Sequence, residues 1–172
     1  IDLDAEPGDN INSLAKAKGV RADQITCCIL DRPRHEKIIA AVRKTGAAVR
    51  LITDGDVAGV IDTAEPHTGV DIYIGQGGAP EGVLAAAALR CVGGQMQGRL
   101  ILDTEEKRQR AATMGVKDPN KKYDMSEMAS GDVIVCATGV TDGGLLSGVK
   151  FGKDMIETET LVYRSVTGTV RR

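Results

Sequence analysis

Two arginines flank a proline at Arg32-Pro33-Arg34, directly after a short apolar run. Proline stiffens the chain between them, and each guanidinium group presents a fixed fork of N–H donors that suits a phosphate. The alternative is that both arginines are solvated residues near the start of a helix, where positive charge is mildly unfavourable. Because two positive charges at a helix start are unfavourable without an anion, the sequence favours an anion-binding site here. The adjacent His35 is interpreted as an ordinary first-turn residue and His67 as part of a surface loop.

A second polar group, Asp54-Gly55-Asp56, follows another apolar run. Two carboxylates separated by a glycine can accept hydrogen bonds from sugar hydroxyls or bind a hard divalent cation. The alternative is a turn in which Asp56 only caps the next helix. The residues leave these two interpretations equally open.

The most informative stretch is glycine-rich and covers residues 75–82. Glycines let backbone amides approach a ligand, and the N-terminus of a following helix favours an anion. The spacing does not match the G-x-G-x-x-G pattern of dinucleotide-binding proteins. Glu81 either stabilises the dipole of the helix that Pro80 is predicted to begin or serves as a metal ligand, and the spacing does not decide. A further glycine-rich loop, residues 138–144, is predicted to turn the chain rather than to build the site.

Short β-rich runs alternate with stretches of helical periodicity, which predicts an α/β fold with a largely parallel sheet. Strands are predicted at residues 25–30, 49–53, 70–74, 94–102, 132–138 and 159–166. Helices are predicted from an Asp9 or Asn10 cap to Lys18 and at residues 35–45, 57–63, 81–91 and 104–114. Because ligands bind beyond the carboxyl ends of strands in an open α/β sheet, the polar segments above are expected to share that edge.

Length and composition exclude several classes of function. The 172 residues fit one domain, residues 1–172, that can bury a core without disulfides. A formal net charge of −2 with three Tyr, one Phe and no Trp argues against a nucleic-acid-binding protein. No apolar run approaches the roughly 20 residues that a membrane span requires. We therefore expect a cytoplasmic protein with no membrane partner, whose cysteines are buried free thiols because no C-x-x-C pair is present.

Four motifs occur in the order and approximate spacing of one family, the class II fructose-1,6-bisphosphatases, which include the dual fructose-/sedoheptulose-bisphosphatases of photosynthetic bacteria. They are DRPRH at residues 31–35, DGDVA at 54–58, GGAPEG at 77–82 and ATGVTDG at 137–143. The chain resembles this family across nearly all of its length. The resemblance implies a layered αβα sandwich with a largely parallel or mixed sheet, in the sugar-phosphatase (inositol monophosphatase-like) superfamily.

The resemblance also implies an activity, the metal-dependent hydrolysis of fructose 1,6-bisphosphate to fructose 6-phosphate and phosphate in gluconeogenesis or the Calvin cycle. The positions that match the family's substrate-binding residues are Arg32, Pro33, Arg34, Asp54, Gly55, Asp56 and Gly78. Glu81 matches a ligand of Mn²⁺ or Mg²⁺. Homo-oligomerisation, as a dimer or tetramer, is implied by the same resemblance.

The remaining metal carboxylates of the family, including its D-P-[ILV]-D-G-T-T motif, have no match here. The only Asp-Pro pair is Asp118-Pro119, and it continues with Asn120. The chain is therefore expected to be the C-terminal half of a longer phosphatase whose catalytic residues lie in the N-terminal half. A non-catalytic sugar-phosphate-binding or regulatory module is the alternative, and a purely structural piece is a third possibility.

Overall fold

The computed structural model describes all 172 residues of the chain. Its helices are α1 (Pro7–Lys18), α2 (Glu36–Lys44), α3 (Asp56–Ile61), α4 (Ala79–Val92), α5 (Glu105–Thr113) and α6 (Met125–Met128). Its strands are β1 (Thr26–Leu30), β2 (Ala48–Ile52), β3 (Ile72–Tyr73), β4 (Gln97–Gly98), β5 (Tyr123–Asp124), β6 (Ile134–Thr138), β7 (Lys150–Phe151), β8 (Ile156–Glu157), β9 (Thr160–Arg164) and β10 (Thr169–Arg171).

A parallel sheet of order β2-β1-β3 is built from the first half of the chain. The central strand β1 is buried from its second residue onward, and its near-continuous apolar sequence is typical of a strand covered on both faces. One face packs against α1 and α2 through a cluster that includes Ile11, Ile29 and Val42. These two helices therefore cover one face of the sheet.

The opposite face of this sheet is covered by α3, which approaches it closely at Gly59. A Cβ atom at Gly59 would lie 2.9 Å from Cδ1 of Ile52 and 3.2 Å from Sγ of Cys28. The absence of a side chain at this position therefore allows the helix to pack tightly against β1 and β2. Helix α4 packs beside α3 and buries its alanine-rich stretch, residues 85–88.

A second sheet of order β10-β9-β6 packs on the other side of α3 and α4. Leu161 and Tyr163 of β9 share a buried cluster there with Ile61, Ala88 and Cys91. The layers are therefore α1/α2, the parallel sheet, α3/α4 and the second sheet. The α/β sandwich class is confirmed. The second sheet is antiparallel, so the fold is mixed.

Several predicted boundaries were wrong, for local reasons. Helix α1 begins at Pro7 after an N-cap at Glu6, and Asp9 and Asn10 lie inside it, because proline at the first helical position starts the helix earlier. Helix α4 begins at Ala79, so Pro80 is its second residue. The strand predicted over residues 94–102 is reduced to β4. The hairpin strands β7 and β8 and the edge strand β10 had not been predicted.

Burial differs from expectation at one of the four cysteines. Strand β2 lies at the edge of its sheet, where its Leu51 is exposed. Cys27, Cys28 and Cys91 are buried as expected, whereas Cys136 is exposed on β6. No helix combines the length and the apolarity needed to cross a membrane.

Candidate functional site

The carboxyl ends of β1, β2 and β3 meet at one edge because the three strands are parallel. The Arg32-Pro33-Arg34 segment follows β1, the Asp54-Gly55-Asp56 segment follows β2, and the glycine-rich loop of residues 75–78 follows β3. The expected convergence of these three segments is confirmed, whereas residues 138–142, expected at the same edge, follow β6 of the second sheet. All three are open to solvent at their tips.

The two arginines hold this edge together through backbone carbonyls. Arg32 donates from Nη2 to the carbonyl oxygen of Thr53 at 2.6 Å, which links the ends of β1 and β2. Arg34 donates from Nη2 and Nε to the carbonyl oxygen of Gln76, at 2.8 and 3.3 Å. A guanidinium group has five N–H donors, so both side chains keep donors that no protein acceptor takes.

His35 is not the ordinary first-turn residue that the sequence suggested. Its ring is fully buried in the short 3₁₀ turn Pro33–His35. Nδ1 lies 2.8 Å from the carbonyl oxygen of Leu30, and Nε2 accepts from the backbone N–H of Gln76 at 2.9 Å. Because Nε2 accepts, Nδ1 carries the proton, and the neutral imidazole joins the end of β1 to the glycine-rich loop.

Two carboxylates lie against adjacent glycines of that loop. Oδ2 of Asp56 is 2.6 Å from where a Cβ of Gly77 would stand, and Oε2 of Glu81 is 2.0 Å from the corresponding position at Gly78. A side chain at either glycine would therefore displace a carboxylate. Asp56 is the first residue of α3 and the N-cap is Gly55, whose φ of 75° is left-handed, so Asp56 is not the cap.

Tyr73, at the end of β3, is a site residue that the sequence reasoning missed. A Cβ at Gly75 would lie 3.3 Å from its hydroxyl oxygen, so this hydroxyl sits beneath the loop. Burial raises its pKa to about 12, the nearby Asp56 carboxylate acts in the same direction, and Arg34 opposes both. The Tyr73 hydroxyl therefore stays protonated well above neutral pH.

An open cleft of about 580 Å³ begins beside Asp54 and Gly55 and extends between β2, α3 and residues 138–146. The late glycine-rich loop, predicted only to turn the chain, forms one wall of this cleft. On the other wall Nη1 of Arg50 lies 3.4 Å from Oδ2 of the buried Asp62. Sequence reasoning missed this ion pair because its members lie on separate elements, 12 positions apart.

The acidic side chains of this chain do not gather into a cluster of metal ligands. No group of three or more His, Cys, Asp or Glu side chains is close enough to hold one. Asp56 and Glu81 offer hard oxygen ligands at the loop, whereas Mg²⁺ requires near-octahedral oxygen coordination. These two carboxylates alone would supply only a minority of the oxygen ligands in an octahedral coordination shell.

Comparisons with known proteins identify a family for this chain. A model of the family described as "Bacterial fructose-1,6-bisphosphatase, glpX-encoded" matches residues 1–172. Two relatives carry the name D-fructose 1,6-bisphosphatase class 2/sedoheptulose 1,7-bisphosphatase. The protein of Synechococcus sp. (strain JA-3-3Ab) is 40% identical over 184 residues, which cover 99% of this chain and 53% of the relative.

The protein of Synechocystis sp. (strain ATCC 27184 / PCC 6803 / Kazusa) is 39% identical over the same shares of the two chains. The chain thus spans about half the length of the curated relatives it matches. Since the family match covers every residue, the chain belongs to the bacterial, glpX-encoded fructose-1,6-bisphosphatase family.

Proposed function

We propose that this chain is the substrate-binding part of a phosphatase that hydrolyses fructose 1,6-bisphosphate to fructose 6-phosphate and phosphate. The observation that carries the proposal is the meeting of Arg32, Arg34 and residues 54–56 with the glycine-rich loop at one sheet edge. The names of the relatives supply the substrate class. The same family resemblance leads us to expect a homo-oligomeric, cytoplasmic enzyme.

The two arginines bind a phosphate group of the substrate in this proposal. Their backbone contacts fix each guanidinium group in place, while their remaining N–H donors stay available. An arginine side chain that is already ordered loses less conformational entropy when its guanidinium group binds an anion. Asp54 is exposed and Asp56 half-buried beside them, so their carboxylates are placed to accept hydrogen bonds from sugar hydroxyls.

Glu81 supplies one oxygen ligand to a Mn²⁺ or Mg²⁺ ion whose other ligands come from outside residues 1–172. Its carboxylate lies against Gly78 in the first turn of α4, next to the proposed sugar-phosphate loops. When bound, such a cation polarises the phosphoryl group and activates a water. The residues of this chain contribute binding and orientation, and we place the catalytic groups in the other half.

Arg34→Ala in the intact enzyme tests the phosphate assignment. Loss of a charge-assisted hydrogen bond costs about 1.5–3 kcal/mol, so the KM for fructose 1,6-bisphosphate is expected to rise about ten- to a hundredfold. Arg43→Ala is the matched control, since Arg43 is an exposed arginine in the last turn of α2. In steady-state kinetics, the Arg43→Ala enzyme should keep the wild-type KM. A wild-type KM in the Arg34→Ala enzyme would contradict the proposal.

A non-catalytic sugar-phosphate-binding module is the second candidate, and the lack of a metal-ligand cluster within the chain favours it. The binding-module hypothesis predicts that a natural protein consisting of these residues is stabilised by fructose 1,6-bisphosphate and Mn²⁺ but releases no phosphate. A phosphate-release assay on the natural full-length protein separates the two candidates, because turnover excludes the binding module.

A further inference from the structure

Gln76, in the glycine-rich loop after β3, is held on both sides by two consecutive side chains. Its backbone N–H donates to Nε2 of His35 at 2.9 Å, and its carbonyl oxygen accepts from Nη2 of Arg34 at 2.8 Å. Residues 75–77 form no backbone hydrogen bond besides those of Gln76 to these two side chains. Hydrogen bonds therefore anchor this part of the loop at Gln76 alone.

His35 can act on the site only through the groups that it contacts. Its ring is fully buried, and a Cβ atom at Gly75 would lie 3.5 Å from its Cε1, so the loop covers the imidazole. Nδ1 donates to the carbonyl oxygen of Leu30 at 2.8 Å, which leaves Nε2 as the acceptor for Gln76. Both ring nitrogens are thus occupied within the chain, and neither is free to bind a substrate.

The groups that Gln76 positions are those assigned to the substrate. Arg34, proposed above as a phosphate ligand, bonds the carbonyl oxygen of Gln76 through two N–H groups. The next residue, Gly77, lies against the carboxylate of Asp56, whose Oδ2 is 2.6 Å from the place of a glycine Cβ. Loss of the bond between Gln76 and His35 would therefore release the loop together with its contacts to the arginine and the carboxylate.

We propose that His35 is a positioning residue for substrate binding. Its neutral imidazole fixes the Gln76 peptide, and this peptide fixes the Arg34 guanidinium group where a phosphate of the sugar bisphosphate binds. The inference rests on the proposed function, because it assigns His35 a part in holding that substrate. Since the imidazole touches neither the substrate nor the reacting atoms, it lowers KM and leaves kcat to other residues.

Two amide substitutions in the intact enzyme separate the two nitrogens of the ring. The side-chain amide of glutamine reaches about as far as Nε2 and can accept the Gln76 N–H, whereas that of asparagine reaches only to Nδ1. His35→Asn should raise the KM for fructose 1,6-bisphosphate about tenfold at unchanged kcat, because one hydrogen bond is lost. His35→Gln should restore most of the wild-type KM. His67→Asn, at the exposed second histidine, is the matched control and should keep the wild-type KM.

Hydrogen exchange in the unsubstituted enzyme tests the same bond without any variant. The Gln76 amide should exchange slowly because it donates to His35, whereas the adjacent Gly77 amide, which has no acceptor in the chain, should exchange fast. Fast exchange at Gln76 would show that this bond does not hold the loop, and it would overturn the proposal.

Arg34→Ala, measured beside these variants, keeps the inference distinct from the proposed function. A raised KM in Arg34→Ala with a wild-type KM in His35→Asn would leave the phosphate assignment standing and overturn the role of His35. A wild-type KM in Arg34→Ala would remove the phosphate assignment itself, and with it the route through Arg34.

Two further kinetic results would also overturn the proposal. Equally raised KM values in His35→Asn and His35→Gln would show that the shape of the ring matters and the acceptor at Nε2 does not. A lower kcat at unchanged KM in His35→Asn would place the effect of His35 on the chemical step instead of on binding.

Discussion

At the scale of single residues, the site depends on side chains fixed by backbone contacts that are distant in sequence. His35 bonds the end of β1 and the loop after β3, and Arg34 bonds the same loop residue, Gln76. The sequence presents these residues in a motif but contains no local sign that they anchor a loop 41 positions away. That is why His35 was interpreted as an ordinary helix-start residue and why Tyr73 was missed.

Gly78→Ala tests whether the placement of Glu81 matters. The backbone at Gly78, with φ −70° and ψ 145°, suits any residue, so the fold should tolerate alanine. The new Cβ would stand 2.0 Å from Oε2 of Glu81 and would force this flexible carboxylate to rotate away. Since misplacement of a reacting group by about 1 Å can cost about a hundredfold, we expect kcat of the intact enzyme to fall by up to that factor.

The matched control for this change is Gly82→Ala, one turn later in α4, where a Cβ meets nothing within 4 Å. Its kcat should equal that of the wild type. Wild-type turnover in the Gly78→Ala enzyme would contradict the claim that the reaction requires the Glu81 carboxylate at this position.

At the scale of elements, apolar periodicity predicted the central strand and the longer helices well. Residues 27–30 are buried, and α5 begins where the helix over residues 104–114 was predicted, with the Thr104 hydroxyl accepting from the backbone N–H of Lys107 at 3.2 Å. The failures lie in short strands such as β7, β8 and β10, two or three residues long. Such elements carry too few residues to show an alternating pattern, and their pairing is set by distant parts of the chain.

The close approach of α3 to the parallel sheet leads to a stability prediction. Gly59→Ala inserts a methyl group 2.9 Å from Cδ1 of Ile52, and overpacking of this kind costs about 1–3 kcal/mol of unfolding free energy. Gly82→Ala, which fills open space on a helix, should instead gain up to about 1 kcal/mol. Urea unfolding of the two variants measures both values. A Gly59→Ala protein as stable as the wild type would contradict the tight packing of α3.

At the scale of the whole molecule, the layered packing predicts which thiols react. Burial raises the pKa of Cys27 to about 12 and also raises the pKa values of Cys28 and Cys91. A raised thiol pKa lowers the thiolate fraction at neutral to mildly alkaline pH, so these three side chains are both inaccessible and protonated. Cys136 is exposed on β6.

The folded chain should therefore show one fast-reacting thiol with a disulfide reagent at about pH 8, and all four after denaturation. Cys136→Ser should remove the fast phase. Rapid reaction of two or more thiols in the native protein would mean that the sheet layers do not enclose Cys27, Cys28 and Cys91 as described.

The central claim is that the sheet edge carrying Arg32, Arg34 and residues 54–56 binds a sugar phosphate. The most direct measurement is the thermal unfolding of residues 1–172 in increasing concentrations of fructose 1,6-bisphosphate. A ligand at a hundredfold excess over its Kd stabilises a protein by about 2.7 kcal/mol, so the wild-type chain and Arg43→Ala should show rising Tm values. Arg34→Ala should show a much smaller rise. A flat wild-type response, or an equal rise in the Arg34→Ala chain, would contradict the account.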